Sequence, residues 1–111
     1  QIESLITHLN ENIVIVEGKR DVIALKKIGV KANVLTFEKF TREKGIVNEK
    51  DAVILTDFDE EGEVKKNIIS SVLLEKGIVE HDEYRRKFKL LFGVKTIEEV
   101  PPVFEKLIKG D

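Results

Sequence analysis

Short, continuously apolar runs alternate with amphipathic stretches along the chain. The apolar stretches 13–16 and 52–55, the latter extended by Thr56, predict buried strands, and residues 33–37 predict another short strand. Apolar residues at helical spacing predict helices between and after these runs. The predicted helices cover 2–9, 20–28, 60–76, 84–92 and 101–108, with a further helical turn near Phe40.

The order of these elements predicts an α/β domain. Continuously apolar strands that alternate with helices are typical of a parallel sheet with helices on both faces. We therefore predict a Rossmann-like, mainly parallel sheet of three to four strands in a single domain over 1–111, with the fourth strand at 77–80 or 93–96. The apolar stripe predicted for the longest helix consists of Val64, Ile68, Ile69, Val72 and Leu73, and the last helix carries Val103, Phe104, Leu107 and Ile108.

Composition excludes several kinds of site. The 111 residues include 19 Lys and Arg against 21 Asp and Glu, a formal net charge of −2, which disfavours a large basic face for nucleic acid but allows a local patch. There is no Cys and there are only two His, so Cys-based zinc sites and multi-histidine metal sites are excluded. No apolar run exceeds four residues and no segment resembles a secretory signal, so we expect a cytoplasmic protein without membrane contact.

Carboxylates cluster where the run at 52–56 ends. Five of the seven residues at 57–63 are acidic and none is basic. Asp57 and Asp59 project to the same side of an extended chain, and Glu17 would face them if the strands at 13–16 and 52–56 are neighbours. Like charges about 4 Å apart repel by roughly 4 kcal/mol at an effective dielectric of about 20. Such a cluster must shift its pKa values, spread into water or hold a hard divalent cation, for which Mg²⁺ is the usual choice beside phosphates.

A purely structural interpretation covers part of this cluster. Asp59 is suited to cap the helix over 60–76, and the glutamates at 60, 61 and 63 are favourable at the positive end of its dipole. Asp57 ends a buried strand before the cap position, which favours a functional role. A glycine at position 18 is consistent with a tight turn and equally with close approach of the backbone to a phosphate.

Two motifs together resemble the Toprim domain of topoisomerases, bacterial-type primases and several nucleases. In that family an apolar strand is followed by Glu-Gly and a nearby acidic residue, and residues 13–21 read IVIVEGKRD. A later apolar strand is followed by Asp-x-Asp-x-x-Gly, and residues 53–63 read VILTDFDEEGE. The resemblance covers 12–76 as a motif core, followed by a helical extension over 80–110, and is strongest to small archaeal-type Toprim proteins and the nucleases that mature 5S ribosomal RNA.

The resemblance implies metal-dependent phosphoryl transfer on DNA or RNA. Asp57 and Asp59 would hold Mg²⁺ or Mn²⁺, and Glu17 would act as general acid or base or as a further ligand. The family's topoisomerases also use a tyrosine nucleophile from another domain, whereas Tyr84 here lies on an apolar stripe that predicts core packing.

Basic residues and glycines near the predicted site are candidate phosphate contacts. Lys19 and Arg20 flank Glu17, and the helix over 84–92 carries basic side chains that we expect on its solvated face, Arg85 and Arg86 among them. An ordinary solvated helix face explains that second cluster equally well. The full set of predicted phosphate or nucleic-acid contacts is Gly18, Lys19, Arg20, Gly62, Arg85 and Arg86. His8 and His81 are expected at the surface or in helix caps.

Three functions remain open at this point. The first is a small metal-dependent nuclease or related phosphotransferase, and the second is a non-catalytic module that binds metal and nucleic acid within an assembly. The third, a receiver-like signalling domain phosphorylated on Asp57, lacks the paired acids and the late lysine that such domains use. The short edge predicted for the sheet leaves homodimer formation open.

Overall fold

Four parallel strands form a single sheet in this computed structural model, which describes residues 1–42 and 49–110. The strands are β1 (Ile13–Val16), β2 (Val34–Thr36), β3 (Asp51–Ile54) and β4 (Val79–Glu80), in the order β2-β1-β3-β4. The predicted α/β class with a parallel sheet is confirmed. Of the two stretches proposed for the fourth strand, the one at 77–80 is correct and the one at 93–96 is wrong.

Six α-helices surround this sheet in the described part of the chain. They are α1 (Ile2–Asn10), α2 (Lys19–Lys27), α3 (Phe37–Arg42), α4 (Glu60–Lys76), α5 (Asp82–Phe92) and α6 (Val100–Ile108), with a 3₁₀ turn at Ile97–Glu99 before α6. Within the described ranges, no helix has both the length and the apolar character needed to cross a bilayer.

Two apolar cores lie on opposite faces of the sheet. Because strand side chains alternate, Val14 and Val16 enter the core formed with α1, α2 and α5, while Ile13 and Ile15 enter the core formed with α3 and α4. The prediction of helices on both faces is therefore confirmed, and it explains why β1 is apolar at every position.

The inward stripe predicted for α4 is wrong in the first half of the helix. Ile69 and Leu73 are buried, but Val64 is 59% exposed and Ile68 is 46% exposed. The inward face of α4 instead carries Gly62, Ile69 and Leu73, which are buried, and Lys66, whose side chain is only 17% exposed. Val64 and Ile68 lie to one side of that face, so the stripe is rotated relative to the prediction. In α6, Leu107 and Ile108 are likewise exposed, because this last turn lies beyond the core.

The connection from β2 to β3 crosses from one side of β1 to the other. β1 pairs with β2 on one side and with β3 on the other, so successive connections leave β1 in opposite directions. In open parallel sheets, the crevice at such a switch point, beyond the carboxyl ends of the strands, is where ligands bind. Here that crevice lies between the ends of β1 and β3.

Candidate functional site

Glu17 and Asp57 meet directly at this switch point. The Leu55 N–H donates to the Ile15 carbonyl at 2.8 Å, which continues the pairing of β1 and β3 past the end of β3. Glu17 Oε2 then accepts a hydrogen bond of 2.7 Å from the Asp57 N–H. The structure therefore makes the two strands neighbours and brings together the acids at their ends, although these lie 40 positions apart.

Asp57 carries a strongly perturbed carboxyl group. Its Oδ1 accepts a hydrogen bond of 3.0 Å from the Ile97 N–H. Burial is the main cause that raises the pKa of Asp57, from 3.8 to about 6. The negative charges of Glu17, Asp21 and Asp59 act in the same direction, whereas the bond from Ile97 opposes them. Negative charge therefore accumulates around Asp57 without full compensation.

Asp59 performs the structural role that the sequence offered as an alternative. It is the N-cap of α4, and its Oδ1 accepts a hydrogen bond of 2.7 Å from the Gly62 N–H. Its charge nevertheless contributes to the raised pKa of Asp57. Capping and a place in the acidic cluster are thus compatible for this residue.

Gly62 is required by close packing and does not serve as a phosphate contact. A Cβ at this position would lie 1.9 Å from the Asp57 carbonyl oxygen, so no larger residue fits without a backbone shift. The Gly62 carbonyl accepts a hydrogen bond of 2.8 Å from Thr56 Oγ1, and its N–H is used by Asp59. The predicted phosphate contact of Gly62 is wrong, because the glycine is buried and its N–H is already bonded.

Asp21 joins the acidic cluster from the first turn of α2. Its Oδ2 accepts a hydrogen bond of 3.1 Å from the Gly18 N–H, and its side chain is buried. Burial raises the pKa of Asp21, and the charges of Glu98 and Glu17 add to this effect. The sequence marked Asp21 only as part of a motif, and its position four residues after Glu17 was the available signal.

Lys65 of α4 is the cation nearest to Glu17 among the described contacts. Its Nζ lies 3.0 Å from Glu17 Oε1 and 3.7 Å from Glu61 Oε1. The hydrogen bond to Glu17 is the main cause that raises the pKa of Lys65. Helical spacing in the sequence indicates a pair of Lys65 with Glu61 but gives no sign of its contact with a strand end 48 positions away.

Arg85 was predicted on the solvated face of α5, and that placement is wrong. Its side chain is 4% exposed and donates to the carbonyls of Ile54 at 3.1 Å and Thr56 at 2.8 Å. It also donates to the Asp57 carbonyl at 3.1 Å and forms an ion pair of 2.7 Å with Glu63. The guanidinium is fully engaged within the protein, so Arg85 is excluded from the phosphate contacts.

The other predicted phosphate contacts lie at the surface. Lys19 and Arg20 are exposed at the start of α2, and Arg20 is 3.9 Å from Glu98. Arg86 is also exposed and pairs with Asp82 at 2.7 Å. Gly18 precedes α2 in an extended conformation and has open space around its Cα. Of these residues, Gly18, Lys19 and Arg20 follow Glu17 within three positions of the chain.

Comparisons with known proteins identify the family of the chain. No family profile matches it. A UPF0292 protein of Methanosarcina barkeri is 33% identical over 121 residues, and the match spans 98% of this chain and 82% of the relative. The chain belongs to the UPF0292 family. The UPF0292 proteins of Archaeoglobus fulgidus and Pyrococcus furiosus are 30% and 31% identical to it, with 78% and 86% of their lengths covered.

A solved structure from Aquifex aeolicus shares the fold of this UPF0292 chain. The TM-score is 0.70 at 24% sequence identity, and the match covers 90% of this chain and 98% of the other. At this identity the similarity concerns the fold alone. It supports the arrangement of strands and helices that forms the switch point.

The donor chemistry of the UPF0292 site suits a hard cation, although the described residues do not form a complete metal site. Across 1–42 and 49–110, no three side chains of the His, Cys, Asp or Glu type are grouped closely enough to hold a metal ion. The oxygens near Asp57 are nonetheless carboxylates, the ligands that Mg²⁺ prefers, and their mutual repulsion is what a cation would relieve. The residues thus fit Mg²⁺ by donor type and charge.

Proposed function

We propose that this UPF0292 chain is a Toprim-type protein that carries out Mg²⁺- or Mn²⁺-dependent phosphoryl transfer on nucleic acid, as a small nuclease or related factor. The observation that carries the proposal is the hydrogen bond of 2.7 Å between the Glu17 carboxylate and the Asp57 N–H. It joins the two halves of the Toprim-like pattern at the switch point of a parallel sheet, where ligands of such folds bind.

The three acids share the work of the proposed site. Asp57 and Asp59 would hold the cation, with Glu17 as a further ligand or as the general acid or base. When bound, the cation supplies charge neutralisation for a phosphate and orients the attacking oxygen. Arg85 keeps the strand end that carries Asp57 fixed through its hydrogen bonds to backbone carbonyls.

The exposed cations beside Glu17 support a polyanionic substrate. Lys19 and Arg20 begin α2 next to the acid cluster, and Arg86 lies on the exposed side of α5. Contacts from such side chains to phosphates are independent of base sequence and supply affinity that falls with salt. DNA or RNA is therefore the proposed substrate class, and the cytoplasm is the expected location.

Cleavage of labelled nucleic acid tests the enzyme directly. Single- and double-stranded DNA and RNA are incubated with the wild-type protein, with Mg²⁺ or Mn²⁺ and with EDTA. We expect cation-dependent cleavage that falls at least 100-fold in Asp57→Asn, on the order of the effect of losing a principal catalytic interaction.

Glu60→Gln is the matched control, because it makes the same carboxylate-to-amide change in the same acidic run at an exposed position. It should retain cleavage within about twofold, since exposed surface substitutions have small effects. Equal cleavage by Asp57→Asn and the wild type would remove this site from the reaction.

A non-catalytic module is the second candidate, and one observation favours it. Glu17 is held by Lys65, Asp59 caps α4, and no group of three metal-ligating side chains forms among the residues described. Such a domain would bind nucleic acid without turnover. Binding that weakens steeply with salt, together with no cleavage under any divalent cation, would favour this function over the nuclease.

A further inference from the structure

Lys65 and Glu17 form an ion pair inside the proposed cation site. Lys65 Nζ lies 3.0 Å from Glu17 Oε1, and the two side chains are 29% and 16% exposed. A partly buried pair of this kind is screened less by salt than a fully exposed pair. The ammonium group therefore neutralises one of the carboxylates that the proposed function assigns to a divalent cation.

The ammonium and a divalent cation would compete for the same carboxylate. Glu17 Oε2 accepts from the Asp57 N–H and Oε1 accepts from Lys65, so each carboxylate oxygen already has one partner. A divalent cation bound to Glu17 beside the ammonium would be repelled by it. Binding of the divalent cation through Glu17 is therefore opposed by Lys65 and favoured by its movement away.

α4 offers a second partner for the displaced ammonium. Glu61 lies one helical turn before Lys65, with its Oε1 at 3.7 Å from Nζ, and its side chain is 80% exposed. The lysine can therefore leave Glu17 and keep an ion pair on the same helix face. The movement needed is a side-chain rotation about the bonds of one lysine.

We propose that Lys65 is a built-in counter-ion that occupies Glu17 in the metal-free protein and lowers the affinity of this site for divalent cations. This inference rests on the proposed function, because it assumes that Glu17 faces the cation. Lys65 is a positioning residue in this scheme: it acts on the cation through Glu17 and touches no reacting atom.

Manganese affinity measures the competition without any substrate. The dissociation constant of Mn²⁺ is determined by calorimetric titration and by electron paramagnetic resonance for the wild type, Lys65→Met, Lys65→Arg and Lys66→Met. Lys66 is the matched control, since it lies next in the same helix but pairs with Glu80 at 3.2 Å and Asp82 at 3.5 Å.

We expect Lys65→Met to bind Mn²⁺ about tenfold more tightly than the wild type, which corresponds to about 1.4 kcal/mol. Lys65→Arg should stay within about threefold of the wild type because it keeps a cation at Glu17. Lys66→Met should stay within about twofold. The gain of Lys65→Met should persist at high salt, where effects of distant charge are screened.

Two results would overturn the inference. One is unchanged or weaker Mn²⁺ binding by Lys65→Met, and the other is an equal gain in Lys66→Met, which would indicate a general charge effect. Thermal unfolding without metal shows whether each variant is folded, and Lys65→Gln replaces the Met variant if that one is not.

The same data separate this inference from the proposed function. Wild-type binding of Mn²⁺ without a gain in Lys65→Met overturns the role of Lys65 and leaves the cation site intact. Failure of both the wild type and Lys65→Met to bind Mn²⁺ overturns the cation site, and the counter-ion role with it.

Discussion

Single side chains at the switch point have structural tasks that their residue types alone do not reveal. Asp59 caps α4 while contributing charge to the acid cluster, and Gly62 allows the first turn of α4 to pack against the backbone of Asp57. The Toprim-like pattern Asp-x-Asp-x-x-Gly thus has a physical basis in this chain. The first Asp supplies the perturbed carboxyl, the second supplies the cap, and the glycine supplies the space.

Replacing Gly62 with alanine should destabilise the protein strongly. The new Cβ would lie 1.9 Å from the Asp57 carbonyl oxygen, and only a backbone shift relieves that clash. We expect the free energy of unfolding to fall by about 3 kcal/mol or more. Chemical denaturation followed by circular dichroism measures the change.

Gly18→Ala is the control for this substitution. Gly18 has an extended backbone, and a Cβ added there would meet no atom within 4 Å, so the same methyl group should alter stability by less than about 1 kcal/mol. Similar losses in both variants would contradict the packing role of Gly62.

At the scale of elements, the short length of β4 explains the burial of Arg85. β4 pairs only with Asp51 and Ala52, so the later carbonyls on this edge of β3 have no strand beside them. Arg85 of α5 fills that gap by donating to the carbonyls of Ile54 and Thr56. An arginine from a helix thus takes the place of strand pairing where the sheet edge stops.

Loss of the Arg85 guanidinium should cost about 3 kcal/mol of stability, because it leaves buried carbonyls unpaired. We therefore expect Arg85→Met to lower the free energy of unfolding by that amount in urea denaturation. Arg86→Met, in the next position of α5 and exposed, should change it by less than about 0.5 kcal/mol. Equal stability of the two variants would rule out the bracing role of Arg85.

The same elements show what the sequence could and could not predict. Strand positions followed from the apolar runs, whereas the meeting of Glu17 with Asp57 depended on the pairing of β1 with β3, which only the structure shows. Helical periodicity identified Ile69 and Leu73 as buried, but apolar residues alone do not reveal that Gly62 and Lys66 share their face, so Val64 is predicted inward although it is exposed. Lys65 escaped sequence analysis because its partner lies on a distant strand.

For the whole molecule, the acid cluster links stability to pH. Asp57 has a pKa of about 6 in the folded protein against an ordinary value of 3.8. The folded state therefore holds its proton more firmly than the unfolded state does. This contribution to stability is fully present below about pH 4 and is lost as the pH rises through 6.

Asp57→Asn should remove this dependence in metal-free buffer. At pH 7 the variant has no charge to bury at position 57. We therefore expect its free energy of unfolding to exceed that of the wild type by about 1–2 kcal/mol, a value reduced for the partial exposure of the site. Between pH 6 and 4 the difference should shrink towards zero. Urea denaturation at several pH values in EDTA measures it.

Glu60→Gln is again the matched control, and it should follow the wild type across this range. A constant difference between Asp57→Asn and the wild type from pH 4 to pH 7 would contradict the raised pKa. Such a result would leave the hydrogen bond between Glu17 and Asp57 unaffected.

The hydrogen bond between the Glu17 carboxylate and the Asp57 N–H also affects when the site forms during folding. Its two ends are 40 positions apart in the chain and meet only when β1 and β3 have paired. Contacts this distant in sequence form late and slowly during folding. A nascent or damaged chain would therefore lack the assembled acids. The proposed nuclease activity would then appear only in the native state.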